Sequence, residues 1–203
     1  MNFYSVSEKN WKLKKFDSSE VAKFVENYAL SEIVAKLLSI RKKNIENVEL
    51  FLNPKIKNLL PDPMSLKDMN LAINRTYKSI LNNELIAIFG DYDVDGATST
   101  AILTRYFLSI NQKVQTYIPD RQTEGYGPNT RGFKNLIDNG AKIIFTVDCG
   151  TLSFEPISFS QKLNVDVIIL DHHQSDIRLP KAHAIVNPNR FDDKSGLNYL
   201  CAA

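Results

Sequence analysis

Five carboxylates and two imidazoles stand in three short clusters, Asp91-Tyr92-Asp93-Val94-Asp95-Gly96, Asp148-Cys149-Gly150 and Asp171-His172-His173. These are side chains that ligate divalent cations. Two like charges about 4 Å apart repel by about 4 kcal/mol at an effective dielectric near 20, so carboxylates gathered in one place need a compensating cation. The chemistry that follows is metal-assisted hydrolysis, in which a bound ion lowers the pKa of a water and neutralises charge on a phosphate.

Asp91, Asp93 and Asp95 are spaced by two, so an extended backbone points all three to one side, with Tyr92 and Val94 opposite. Gly96 then breaks the strand and allows a turn into a helix starting at Ala97. The free N–H groups of that helix, with the Thr98 and Ser99 hydroxyls, can receive a phosphate oxygen. Helix capping accounts for one such Asp, not for three. Asp148 alone reads equally well as a cap or a ligand; its weight comes from the other clusters, since a carboxylate on an intervening strand can bridge two cations about 3.5 to 4 Å apart. The histidine pair suits Mn²⁺, Fe²⁺, Co²⁺ or Zn²⁺ better than Mg²⁺. Neighbouring residues do not all face one way, so one His is expected on metal and the other toward substrate, with Asp171 orienting an imidazole. His183 has no such company and reads as a surface residue.

The elements that must position these groups are legible in the apolar pattern. Each cluster directly follows an apolar run that reads as a buried strand: Leu85 to Phe89, Lys142 to Val147 and Val165 to Leu170. Further strands are expected over Lys113 to Ile118 and Ala184 to Val186. Helices are expected over Ala97 to Ile110, with Ile102, Leu103, Phe107 and Leu108 on the apolar face, then over Asn129 to Asn139 and Phe154 to Leu163. Such alternation means an α/β fold with a parallel, doubly wound sheet, whose strands' carboxyl ends share one crevice. The polar loop from Pro119 to Asn129 opens on the same edge. There Arg121 can clamp a phosphate and Tyr126 can stack on a base or sugar, although an ordinary strand-to-helix connection explains the loop equally well.

Residues 1–82 read as a helical preface and 83–203 as the catalytic domain. In the preface, Val21, Phe24, Val25 and Tyr28, then Ile33, Val34, Leu37 and Leu38, recur at helical spacing, Ser31 can cap the second helix, and another helix is expected over Leu66 to Asn82. The run Arg41-Lys42-Lys43 reads as a solvated helix end. With 203 residues, 43% hydrophobic and 24% charged, the chain can bury a real core. A formal net charge of +2 rules out the broad basic footprint of a histone-like binder, so a phosphate partner must be held locally. The cysteines, Cys149 and Cys201, are too few for a disulfide framework and read as packing residues of a reducing compartment. Neither a signal peptide nor a membrane span is visible, which points to a soluble, cytoplasmic protein with no membrane partner.

The three clusters, ending in Asp-His-His, resemble the DHH phosphoesterases. Gly90-Asp91-Tyr92-Asp93-Val94-Asp95-Gly96, the loop with Glu124-Gly125-Tyr126-Gly127, and Val186-Asn187-Pro188-Asn189 resemble RecJ-type exonucleases in particular. The resemblance implies 5′-to-3′ degradation of single-stranded DNA with two ions of Mn²⁺ or Mg²⁺, in recombination and repair. It implies a monomeric full-length protein, with single-strand-binding protein or other recombination proteins as partners. By position, Asp93 and Asp95 resemble ligands of the two metals, Asp148 the bridging ligand and His172 a ligand. Asp91 would sit beside the first metal, His173 would reach the scissile phosphate, and Arg121 falls in the substrate-positioning loop. RecJ-type chains are much longer and supply a further metal-binding Asp, so this chain reads as truncated at its C-terminus, with weak metal affinity and little processive activity alone. Two other readings keep parts of this picture: a DHH enzyme of small phosphate compounds such as pyrophosphate, short oligonucleotides or cyclic dinucleotides, and a non-catalytic remnant that binds nucleic acid.

Overall fold

The structure, a computed structural model, describes all residues except 1, 2, 5, 8 and 42–47, and residues 3 and 4 by their backbone alone. The chain divides into two compact units, Met1–Pro61 and Asp62–Ala203.

In the first unit, strands β1 (Phe3–Tyr4) and β2 (Asn10–Trp11) pair antiparallel. They precede helices α1 (Ser18–Tyr28), α2 (Glu32–Ile40), α3 (Val48–Leu52) and α4 (Ile56–Leu59). Asp17 caps α1 by accepting the N–H groups of Ser19 and Glu20, and Ser31 caps α2 through the N–H of Val34. Val21, Phe24, Ala35, Leu38 and Val48 form the core of this unit. Val25, Ile33 and Leu37, expected on the apolar faces, are exposed. Arg41 is exposed just past α2; Lys42 and Lys43 lie outside the described residues.

The second unit is built on a five-stranded sheet of order β4-β3-β5-β6-β7, parallel throughout. Its strands are β3 (Ile86–Gly90), β4 (Val114–Tyr117), β5 (Ile143–Val147), β6 (Asp166–Leu170) and β7 (Ala184–Val186). The helices are α5 (Met69–Leu81), which belongs to this unit, then α6 (Val94–Ser109), α7 (Thr130–Asp138) and α8 (Phe154–Lys162). Alternate residues of each strand feed opposite faces. Ile86, Ile88, Ile143, Phe145 and Ile168 pack with Ala72 of α5 and Phe107 of α6, while Ala87, Phe89, Ile144, Val167 and Ile169 pack with Phe133 of α7 and Ile157 of α8. With both faces covered, the central strands are apolar runs without polar alternation. On α6 the core side is Leu103 and Phe107; Ile102 and Leu108, expected beside them, are exposed.

The chain leaves β3 for β4 on one side and returns to place β5 on the other, so the strand order reverses between β3 and β5. The loops after these two strands diverge there and leave a crevice at their carboxyl ends. At the far end of the sheet, the outward N–H of Ile185 in β7 donates to Asp68 Oδ2 at 3.2 Å. Arg190 Nη1 donates to the Ile185 carbonyl at 2.5 Å and to Asp68 Oδ2 at 2.6 Å, so side chains occupy the edge. Among the described residues no helix is long and apolar enough to cross a membrane.

Candidate metal centre

β3 ends at Gly90 and delivers Asp91 into a buried position, where its Oδ1 accepts the N–H of Tyr92 at 2.8 Å. The chain does not continue extended through Asp95. Helix α6 starts at Val94 rather than at Ala97, because Asp93 caps it by accepting the N–H of Gly96 at 2.9 Å, and Asp95 stands in its first turn. The three carboxylates therefore reach the crevice from a strand end, a cap and a helical turn, not from one side of a strand. Gly96 is likewise no strand breaker. It lies in the first turn of α6, where a Cβ would sit 2.5 Å from the Asp91 carbonyl oxygen, and its bare Cα lets the helix press on the end of β3.

Asp148 follows β5 in the left-handed conformation, φ 60°, and its N–H donates to the Leu170 carbonyl at 2.9 Å. Its carboxylate is buried, and His172 Nε2 from the loop after β6 lies 3.1 Å from Asp148 Oδ1 and 3.5 Å from Asp95 Oδ2. Burial, followed by the charges of Asp95 and Asp93, pushes the Asp148 carboxyl up to about 6. Burial also raises Asp91, whereas the Gly96 N–H holds Asp93 below its ordinary value. Asp91, Asp93 and Asp148 each offer an oxygen within 4.8 Å of the others, and Asp148, His172 and His173 do the same with an oxygen and two nitrogens. Asp148 is common to both groups. Asp95 is in neither; its Oδ2 accepts the N–H of Ala202 at 3.1 Å. An oxygen-rich group and an oxygen-nitrogen group that share one carboxylate fit a pair of divalent cations.

The family model described as "DHH family, N-terminal domain" matches residues 85–202. The chain belongs to the DHH family. It is 36% identical over 185 residues, 91% of its length, to "Single-stranded-DNA-specific exonuclease RecJ" of Bacillus subtilis (strain 168), of which it spans 23%. Over 142 residues it is 33% identical to the RecJ of Escherichia coli (strain K12), covering 70% of this chain and 24% of that protein. The chain thus spans about a quarter of the length of these curated relatives. Its fold is similar to an exonuclease RecJ crystallised with manganese, with a TM-score of 0.61 and 28% identity over 68% of this chain and 37% of the other.

Within this DHH domain, Asp171 is buried and saturated with donors. Its Oδ2 accepts the N–H and hydroxyl of Thr151 at 3.0 and 2.6 Å; its Oδ1 accepts the N–H groups of His172 and His173 at 2.7 and 3.1 Å and faces His173 Nδ1 at 2.8 Å. Burial alone would raise this carboxyl, but the Thr151 and His173 hydrogen bonds lower it. Such contacts orient the histidines rather than leave an oxygen for a metal. Burial opposes charge on His173, yet Asp171 outweighs it and raises the imidazole. Its Nε2 lies 3.3 Å from the hydroxyl of Tyr126, which brings the loop after β4 to the site. The Tyr126 ring stands edge-on to His173 and to Tyr92, each at 6.2 Å, and the exposed Arg121 guanidinium lies 5.3 Å from the Tyr92 ring. Beside them a cavity of about 360 Å³ is lined by Tyr126, Cys149, Thr151 and His173.

Thr98 is exposed at the start of α6, whereas Ser99 is buried and its hydroxyl donates to the Asp95 carbonyl at 2.7 Å. The Ser99 donor is therefore already committed within the helix. His183 is exposed and distant from the clusters in contact, 3.7 Å from Asp166. Cys149 is buried as expected, but Cys201 is exposed. Thr151 and Asn187 were not anticipated as site residues. Asn187 appeared only inside a motif, and a Thr three residues after Asp148 carries no signal of its own.

Proposed function

We propose that this chain holds Mn²⁺ or Mg²⁺ between the loops after β3, β5 and β6 and, as the catalytic part of a RecJ-type exonuclease, cleaves phosphodiester bonds of single-stranded DNA from the 5′ end. The observation that carries this reading is the convergence of Asp91, Asp93, Asp148, His172 and His173 into two potential ligand groups that share Asp148. The names of the relatives, single-strand-specific exonucleases, support the substrate, and the manganese of the similar crystal structure supports the metal. The catalytic part would span residues 83–203, nearly the stretch matched by the family model.

Two bound cations would supply an acidified water and positive charge for the departing oxygen. Asp93, Asp148 and His172 would hold them, with Asp91 beside the first, and Asp95, outside both groups but 3.5 Å from His172 Nε2, would join them. Asp171 holds the His173 Nδ1–H, which leaves the opposite nitrogen, beside the Tyr126 hydroxyl, to carry a proton to a phosphate oxygen. Arg121 and Tyr126 would receive the strand, the guanidinium at a phosphate and the ring against a base. The Arg121-Tyr92-Tyr126 series favours a nucleic acid over pyrophosphate, which offers no base to stack.

The test is digestion of a long labelled single strand, a matched duplex and a dinucleotide, with Mn²⁺ and with chelator. Mononucleotide release from the 5′ end of the single strand, abolished by chelation, is expected. Cleavage restricted to the dinucleotide would select the small-substrate reading, and cleavage indifferent to chelation would end the metal reading.

A further inference from the structure

Asn187 is fully buried on the turn after β7, and its amide uses both hydrogens: Nδ2 donates to Thr151 Oγ1 at 2.8 Å and to the His173 carbonyl at 2.9 Å. Its Oδ1 accepts the N–H of Asn189 at 2.8 Å. The orientation of the amide is settled by these partners, because a carbonyl only accepts and a backbone N–H only donates. Thr151 Oγ1, having accepted from Asn187, donates its hydrogen to Asp171 Oδ2, and Asn189 Nδ2 donates to the His172 carbonyl. Three loops distant in sequence are thereby tied into one network, with Asp171 at its centre and both histidines at its rim.

We propose that Asn187 and Thr151 are positioning residues for the cation site, holding Asp171, and through it His172 and His173, in the geometry that binds a divalent metal. This rests on the metal reading above. The direction of the hydrogen bonds carries the argument. The Thr151 hydroxyl reaches Asp171 as a donor because Asn187 fills its acceptor side. An acceptor in place of Asn187 Nδ2 draws that hydrogen away from Asp171 and opposes the His173 carbonyl, with almost no change in shape. Partners of this kind behind metal ligands are worth about 10- to 100-fold in affinity.

The experiment is a Mn²⁺ titration of the 203-residue chain, followed by calorimetry and by the electron paramagnetic resonance of free Mn²⁺. It compares the original protein with Thr151→Val, Thr151→Ser, Asn187→Asp and Asp148→Asn. Thr151→Val removes the hydroxyl at constant shape, and Thr151→Ser keeps it. A loss of about 10- to 100-fold in Thr151→Val and Asn187→Asp, with Thr151→Ser binding as the original, is expected. Wild-type affinity in Thr151→Val and Asn187→Asp, while Asp148→Asn loses binding, overturns the positioning role and leaves the metal reading standing. Equal losses in Thr151→Ser and Thr151→Val overturn it too, because the retained hydroxyl then makes no difference. Undiminished binding in Asp148→Asn instead removes the metal reading and this inference with it. Should Thr151→Val fail to fold, Asn187→Asp, with circular dichroism as the check of its fold, decides the question.

Discussion

His172 Nε2 lies 3.1 Å from Asp148 Oδ1, and neither side chain could reach the other without the parallel pairing of β5 and β6, which sets Val147 level with Leu170. The contact is one of register, and it brings a nitrogen and an oxygen donor to one point.

Replacing Asp148 tests that point directly. Because Asp148 is left-handed, Asn is the substitution of choice, since it tolerates φ near 60° where Ala is strained. Asp148→Asn is expected to weaken Mn²⁺ binding by more than about 100-fold, beyond the loss for outer partners. His183→Ala, far from the clusters, is expected to leave both binding and hydrolysis unchanged. Parallel calorimetric titrations and nuclease assays make the comparison.

The pH dependence of metal-free stability has a definite sign. Asp148 ionises at about 6 in the folded chain against an ordinary 3.8, so between these values the folded state keeps a proton that the unfolded state releases. That contribution is complete below 3.8 and is lost as pH rises through about 6. Asp171, lowered instead, contributes stability above 3.8 that disappears only as pH falls below it. Thermal unfolding of the metal-free chain is therefore expected to show a midpoint falling from pH 4 to 6, with a flatter profile in Asp148→Asn. Mn²⁺ affinity is expected to rise over the same window, by up to about tenfold per unit for one displaced proton.

Gly96→Ala places a methyl 2.5 Å from the Asp91 carbonyl oxygen and 2.7 Å from its Cα, both backbone atoms that cannot swing aside. A loss of about 1 to 3 kcal/mol in urea unfolding is expected, the usual cost of overpacking. Mn²⁺ binding should weaken as well, because the helix that carries Asp95 is pushed off the strand end that carries Asp91.

At the β7 edge, Arg190→Met leaves the Ile185 carbonyl and Asp68 without their common partner. The buried guanidinium joins Asp68 to Asp192, so the expected loss is about 3 kcal/mol, the low end for breaking a buried pair. The freed edge should also give concentration-dependent association, measured by sedimentation velocity.

The strands and most helices were legible because burial on both faces writes itself as apolar runs; Ala184–Val186 appears with the expected bounds. The geometry of the first cluster was not. Alternate spacing of Asp91, Asp93 and Asp95 has the period of a strand, but the local bond from Asp93 to the Gly96 N–H turns the chain into a helix one residue later. Asn187 was hidden for another reason. It works through the carbonyl of His173 and the hydroxyl of Thr151, 14 and 36 residues away, and backbone partners leave no trace in residue type. The Asp68–Arg190 pair, 122 residues apart, is equally silent until β7 is in place.

The contact between Gly96 and the Asp91 backbone has a mechanical consequence. With no side chain between them, the first turn of α6 rests directly on the tip of β3, so Asp91, Asp93 and Asp95 stand on one closely packed platform. The segment bearing Arg121 and Tyr126 is built differently. There Gly125 and Gly127, at φ 82° and 74°, have open space where a Cβ would lie, so backbone conformation and not close packing is what calls for glycine beside Tyr126.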